Sequence, residues 1–152
     1  MRNGFFLFAL TVVVASGQGY KIAPDERQAI LDYQLTLPRA NQLMAALPQM
    51  TRYVISLPRE TLAKSKDQSL AARISRLENS AQGMAICKQN GLTAKDYIVG
   101  VPTLRMALWM AEGMPANPDI FASPANLAFA KTNLAELHPK WIAAERVTRP
   151  IK

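Results

Sequence analysis

Apolar residues recur at helical spacing through nearly the whole of this chain. They follow one another at intervals of three and four positions, and no segment shows the sustained alternation of apolar and polar residues that is typical of a β-strand. The clearest stripe consists of Leu70, Ile74, Leu77, Ala81 and Met84. We therefore predict an all-α fold, in which a single domain contains a bundle of four main helices and a shorter helix at either end.

Capping residues and prolines set the boundaries of the predicted helices. Pro24 opens a short first helix, and Thr36 caps a second helix that ends at Pro58. A serine followed three residues later by a glutamine forms a capping box at Ser65–Gln68, which is predicted to open the third helix. Asn90–Gly91 ends that helix, because glycine readily takes the left-handed conformation that follows a helix.

Two further main helices follow in the second half of the chain. Thr93–Asp96 resembles a capping box and opens the fourth helix, which Gly113 closes. Ser123–Pro124 opens the last long helix, with serine as the cap and proline as the first residue. His138–Pro139 is predicted to end that helix, and residues Lys140 to Arg146 then form a short final helix.

Prolines inside two of the main helices predict bends. Pro48 in the second helix and Pro102 in the fourth each remove a backbone hydrogen bond and clash with the preceding turn. We therefore expect both helices to be kinked at proline, and the second helix either to kink or to divide at Pro48.

The first 19 residues have the layout of a secretory signal peptide. Arg2 precedes an apolar run from Phe5 to Ala15, and small residues then lead into a polar sequence. Cleavage is predicted after Gly17 or after Gly19, and the single helical domain covers residues 20–152, which we expect in the periplasm or outside the cell. An uncleaved anchor is the alternative, although the run is shorter than the roughly 20 residues that a helix needs to cross a bilayer. No later segment is apolar and long enough to span a membrane.

The formal net charge is +7, and the basic residues are scattered along the chain. Scattered charge is typical of a solvated surface. The alternative is attraction to an anionic component of the cell envelope, such as a phospholipid, lipopolysaccharide or an acidic polymer. The sequence has no recognition motif for nucleic acid, so we do not expect nucleic acid as a partner.

Residues that support nucleophilic catalysis are scarce. Cys87 is the single cysteine, so it cannot form an internal disulfide, and we expect it to be a small buried core residue. An intermolecular disulfide or a reactive thiol is the alternative. His138 is the single histidine, and we expect it to cap a helix C-terminus, where its charge favours the helix dipole. Nothing in the local sequence favours a catalytic pair of these two residues.

Carboxylates offer little more support for catalysis. Asp25, Glu26, Asp67 and Asp96 lie in predicted first turns, where a negative charge complements the helix dipole. Glu112 is the exception, because it lies near a helix C-terminus, and we expect it to pair with an Arg or a Lys. Clustered zinc ligands and glycine-rich phosphate loops are absent from the sequence. We therefore predict no catalytic residue and no cofactor.

Methionines supply the one specific hypothesis about a metal. Met106, Met110 and Met114 are spaced by four, and thioether sulfur is a soft ligand that suits Cu(I). Methionine at helical spacing is also ordinary core filling, which is the interpretation that we favour. A bend at Pro102 would alternatively open a small-ligand site lined by Met106, Trp109 and Met110.

Three segments carry a resemblance to a known class of protein. They are Leu35–Thr36 at a helix start, Gly91-Leu92-Thr93 with Tyr97, and Ser123-Pro124-Ala125-Asn126 with Phe129. Together they resemble small exported all-helical bacterial proteins of no assigned activity. The resemblance implies export and an all-helical fold, and it assigns no functional residue.

These observations lead to three hypotheses about function. We expect a non-enzymatic exported protein that binds another protein or an amphipathic, anionic component of the cell envelope. The alternative is a periplasmic carrier of a small ligand or of copper, and the third hypothesis is a cell-wall hydrolase that uses a buried carboxylate. An open apolar groove would favour the first, a closed cavity lined by methionine and aromatic residues the second, and a cleft with converging carboxylates the third.

Overall fold

A computed structural model describes residues 21–58 and 67–146, in which six α-helices and no strand are present. The helices are α1 (Pro24–Asp32), α2 (Leu37–Ser56), α3 (Leu70–Glu78), α4 (Ala81–Gln89), α5 (Ala94–Ala111) and α6 (Pro124–Arg146). They form one bundle around a shared apolar core, so the predicted all-α fold is confirmed. The predicted signal peptide over residues 1–19 lies outside the described residues.

Helix α5 is the centre of the bundle. It packs against each of the other five helices, and its buried residues occupy every side of it. A helix that is apolar all round belongs in the interior of a domain. Gly100 allows α2 to approach closely, because a Cβ at that position would lie 2.9 Å from both Leu43 Cδ1 and Tyr33 Oη.

The predicted third helix is in fact two helices, α3 and α4, separated at Asn79 and Ser80. The Ser80 side chain accepts a hydrogen bond from the Gly83 backbone N–H at 3.0 Å, which caps α4, and it also bonds to Tyr53 Oη at 2.8 Å. A serine held in this way competes with the continuation of the preceding helix. The cap of α3 is Ser69 rather than the predicted Ser65, which lies outside the described residues.

Several predicted boundaries are confirmed by the structure. Thr93 and Asp96 form a complete capping box at the start of α5, in which each side chain bonds to the backbone of the other. Gly91 and Gly113 follow α4 and α5 with φ angles of 70° and 102°, so both take the left-handed conformation that favours glycine. Pro124 is the first residue of α6, as predicted.

Prolines end fewer helices than the sequence analysis predicted. Helix α2 is continuous through Pro48, so its predicted division there is wrong, whereas its kink stays a prediction. Helix α6 continues through Pro139 to Arg146, so the predicted end at His138–Pro139 and the separate final helix are also wrong. An internal proline costs roughly 3 kcal/mol. Burial of Trp141 beyond Pro139, and of Met50 beyond Pro48, offsets that cost.

Candidate functional site

An open groove lies between α2 and α6. Its volume is about 400 Å³, and its lining is mostly apolar. The lining residues are Asn41, Met44, Ala45 and Pro48 from α2 and Lys140, Ala143 and Ala144 from α6. A volume of this size lies within the range of pockets that bind small molecules.

Small side chains create the groove where the two helices face each other. Ala45 and Ala143 are both exposed in the groove lining, and each side chain is a single methyl group. Met44 and Ala144 are buried beneath them and form the floor. Pro48 has no N–H, so it cannot donate to the carbonyl of Met44 as an ordinary helical residue would. The groove therefore combines an apolar floor with a backbone acceptor that lacks its usual helical donor.

Lys140 supplies the positive charge of the groove. Its ammonium group donates hydrogen bonds to Asn41 Oδ1 at 3.1 Å and to Glu136 Oε1 at 2.7 Å. The side chains of Lys140 and Glu136 are each 46% exposed, so water competes for this ion pair. Exposed pairs of this kind contribute little to stability, which leaves Lys140 able to exchange its partner.

Most of the net positive charge is carried by residues outside the described ranges. The residues outside the described ranges carry five of the seven excess positive charges: Arg2, Arg59, Lys64, Lys66, Arg149 and Lys152 against Glu60. The described part of the chain is therefore close to charge balance. Lys140 is the charged residue among those that line the groove.

The residues predicted from the sequence as a binding or metal site do not line this groove. Met106 is buried in the core at 4% exposure, whereas Pro102, Trp109 and Met110 are half-buried on α5. Met114 follows Gly113, which has a positive φ, and it is 37% exposed. It therefore lies beyond the end of the helix that carries Met106 and Met110. Core filling accounts for Met106, and the ligand and copper sites stay predictions.

Arg105 is a buried cation beside the predicted site. Its guanidinium carbon lies 5.6 Å from the centre of the Trp109 ring and 5.3 Å from that of Trp141, and its Nε lies 3.4 Å from Glu145 Oε1. Burial lowers the pKa of Arg105 to about 10, although the charge of Glu145 opposes this shift. The guanidinium remains charged at neutral pH, and its cation–π contact with Trp141 joins α5 to α6, whereas the contact with Trp109 lies within α5.

Asp96 is the centre of a second polar cluster, at the start of α5. It accepts a hydrogen bond from Tyr33 Oη at 3.2 Å and pairs with Arg39 at 3.3 Å. Burial alone would raise the pKa of Asp96, but the hydrogen bonds from Thr93 and the charge of Arg39 outweigh it and hold that pKa below its usual value. Asn126 holds the segment between α1 and α2, to which Tyr33 belongs. Its side chain accepts a hydrogen bond from Leu35 N at 3.0 Å and donates one to the Tyr33 carbonyl at 2.6 Å.

The side chains of His138 and Glu112 contact each other, which differs from the arrangement predicted for each. His138 Nε2 lies 2.5 Å from Glu112 Oε1, and both side chains are partly exposed. His138 cannot cap a helix C-terminus because α6 continues past it. The predicted Arg or Lys partner of Glu112 is wrong, because the basic side chain that it contacts is the histidine.

Cys87 is buried in the core, as predicted, with no measurable exposure. Burial, together with a smaller contribution from the charge of Asp96, raises the pKa of the thiol from about 9 to about 11. The folded state therefore keeps the thiol proton at pH values where the unfolded chain releases it. The contribution of this group to stability is present below about pH 9 and is lost as the pH rises to about 11.

We expect iodoacetamide to leave Cys87 unmodified in the native protein at about pH 8 and to modify it completely in concentrated guanidinium chloride. The native thiol is buried and neutral, whereas the reagent attacks an accessible thiolate. Intact mass spectrometry measures the modified fraction in each state. Complete modification of the native protein within minutes would contradict this prediction and would revive the hypothesis of a reactive thiol.

Two absences apply to the described ranges, 21–58 and 67–146. Within them, His, Cys, Asp and Glu side chains form no group of three or more that could hold a metal ion. No helix there combines the length and the hydropathy that crossing a membrane requires.

Comparisons with protein-family models, with curated proteins and with solved structures gave no match for this chain. The resemblance to small exported helical proteins therefore stays a prediction, and function has to be argued from the geometry.

Proposed function

We propose that this protein is a non-enzymatic, exported binding module whose α2–α6 groove holds the apolar part of a small amphipathic molecule. The observation that carries the proposal is the groove itself, with exposed Ala45 and Ala143 above a floor of Met44 and Ala144. Burial of apolar ligand surface in such a groove is the main favourable term in binding. Export rests on the predicted signal peptide, and the intact mass of the purified protein reports whether residues 1–19 have been removed.

The dimensions of the groove favour a small ligand over a protein partner. A volume of about 400 Å³ suits one small molecule. A stable protein interface buries roughly 800 Å² on each partner, which is far more than seven lining residues offer. A small amphipathic component of the cell envelope is therefore favoured over another protein as the partner.

Carboxylate chemistry supports the third hypothesis, a hydrolase, less well. Five described carboxylates contact a basic side chain: Glu26 with Arg73, Asp96 with Arg39, Glu112 with His138, Glu136 with Lys140, and Glu145 with Arg105. Glycoside cleavage needs two carboxyl groups that face each other across a substrate. Contact with a basic side chain gives each of these five carboxylates a structural explanation.

We expect the purified protein to bind N-phenyl-1-naphthylamine, a neutral apolar dye, at one saturable site. Ala143→Phe should weaken that binding by about tenfold or more, because the ring occupies the groove, and a tenfold change corresponds to 1.4 kcal/mol. Ala143 is exposed, so the larger side chain does not disturb the core. Dye fluorescence during a titration measures the affinity.

Ala128→Phe is the matched control for this experiment. Ala128 is an exposed alanine on the same helix, outside the groove lining, so its variant should bind the dye like the original protein. Equal affinity in the Ala143→Phe variant, with circular dichroism unchanged, would show that the dye does not occupy the groove. Absence of saturable binding to the original protein would overturn the proposed function.

A further inference from the structure

We infer that the α2–α6 groove is specific for a linear aliphatic carboxylate, that Lys140 and Asn41 bind the carboxylate, and that Glu136 competes with it for Lys140. This inference rests on the proposed function and adds the chemical class of the ligand. It is argued from the charge, the contacts and the length of the groove.

Complementary charge identifies the polar end of the ligand. Lys140 and Asn41 both line the groove, and the Lys140 ammonium already donates to the Asn41 side-chain oxygen at 3.1 Å. The Asn41 side-chain amide therefore lies beside the ammonium group, and its nitrogen is a second hydrogen-bond donor within the groove lining. A carboxylate has two acceptor oxygens and can accept from both groups at once. A neutral alcohol can accept from them only with a single, uncharged oxygen.

Glu136 occupies the same ammonium that the ligand requires. Its Oε1 lies 2.7 Å from Lys140 Nζ, one helical turn back along α6. Because both side chains are 46% exposed, the pair is weak and water-accessible. A ligand carboxylate that the groove anchors through its aliphatic chain replaces Glu136 at Lys140, whereas a free anion such as acetate lacks that anchor.

The length of the groove sets the size of the aliphatic chain. From Asn41 to Pro48 the helix rises about 10 Å, which matches an extended chain of about nine carbons, because a bond of about 1.5 Å advances a zigzag chain by about 1.3 Å. Ala45, Pro48 and Ile55 recur at spacings that place them on one face of α2. Ile55 is 61% exposed, so chains longer than the groove meet further apolar surface in that direction. Affinity should therefore rise from octanoate to decanoate.

Displacement of the bound dye by decanoate and by 1-decanol tests the inference. The original protein should bind decanoate about tenfold more tightly than 1-decanol. Lys140→Gln should abolish that preference by weakening decanoate binding alone. Glu136→Gln should strengthen decanoate binding severalfold and leave 1-decanol unchanged, because it releases Lys140 from its partner. Lys131→Gln, at an exposed position of α6 outside the groove, should match the original protein.

The outcomes separate this inference from the function on which it rests. Equal displacement by decanoate and 1-decanol would overturn the carboxylate specificity but leave the groove as a binding site. An unchanged or weaker affinity for decanoate in the Glu136→Gln variant would also overturn it, since competition predicts the opposite direction. If neither compound displaces the dye and the dye itself does not bind, the proposed function fails together with the inference.

Discussion

Replacing Arg73 by methionine is expected to lower the free energy of unfolding by about 3–5 kcal/mol. Arg73 on α3 pairs with Glu26 on α1, and the two side chains are only 6% and 5% exposed. The substitution leaves the Glu26 carboxylate in the interior without the guanidinium that lies against it. Removal of one partner from a buried pair is costly because the remaining charge has lost its hydration as well as its counter-charge. Urea unfolding followed by circular dichroism measures the change.

The double variant Glu26→Leu with Arg73→Met separates a lost ion pair from lost packing. Replacing both charges by apolar residues removes the desolvated carboxylate, so the double variant should regain most of the stability that the single variant loses. Arg76→Met, at an exposed position of the same helix, should change stability by less than about 1 kcal/mol. A double variant no more stable than Arg73→Met would show that the arginine acts through its packing and not through its charge.

Trp141→Ala is expected to cost about 3–5 kcal/mol as well. Trp141 is 1% exposed and lies two residues beyond Pro139, in the part of α6 that the sequence analysis separated from the rest of the helix. Removal of its ring takes away the burial that offsets the internal proline, so helix content after Pro139 should also fall. Far-ultraviolet circular dichroism during urea unfolding measures both effects.

Two neighbouring substitutions test the origin of that cost. Trp141→Phe should cost less than Trp141→Ala, because it keeps most of the ring and Trp141 Nε1 has no hydrogen-bond partner among the described residues. Ile142→Ala removes a half-buried side chain from the next position and should cost less than half as much as Trp141→Ala. A cost below about 1 kcal/mol for Trp141→Ala would contradict the role given to this ring.

Local signals predicted the fold class and many helix boundaries. Caps such as Thr93 and terminators such as Gly91 act within one turn of the chain, so a single sequence contains the information that they need. Pro139 was misread because a proline breaks an isolated helix, whereas burial of Trp141 in the bundle keeps this one intact. Sequence spacing also missed that α5 is buried on all sides, because burial depends on how many neighbours a helix has.

The candidate groove could not be predicted from the sequence for a related reason. It depends on α2 lying against α6, and its two polar lining residues, Asn41 and Lys140, are 99 positions apart. Helical spacing indicates which residues share a face, but it does not indicate which faces meet. The available signal was a pair of exposed alanines, Ala45 and Ala143, and alanine is too common in helices to mark a site. The spacing of the methionines led us to predict the ligand site on α5 instead.

Contacts between the two ends of the chain have a consequence for the order in which the protein is made. Leu35 is held by Asn126, 91 positions later, and Asn41 by Lys140, 99 positions later. Most of the polypeptide therefore has to be synthesised before the N-terminal helices can pack against α6. Folding that waits for the last helix is compatible with the export that we propose, because a chain crosses a secretion channel before it folds.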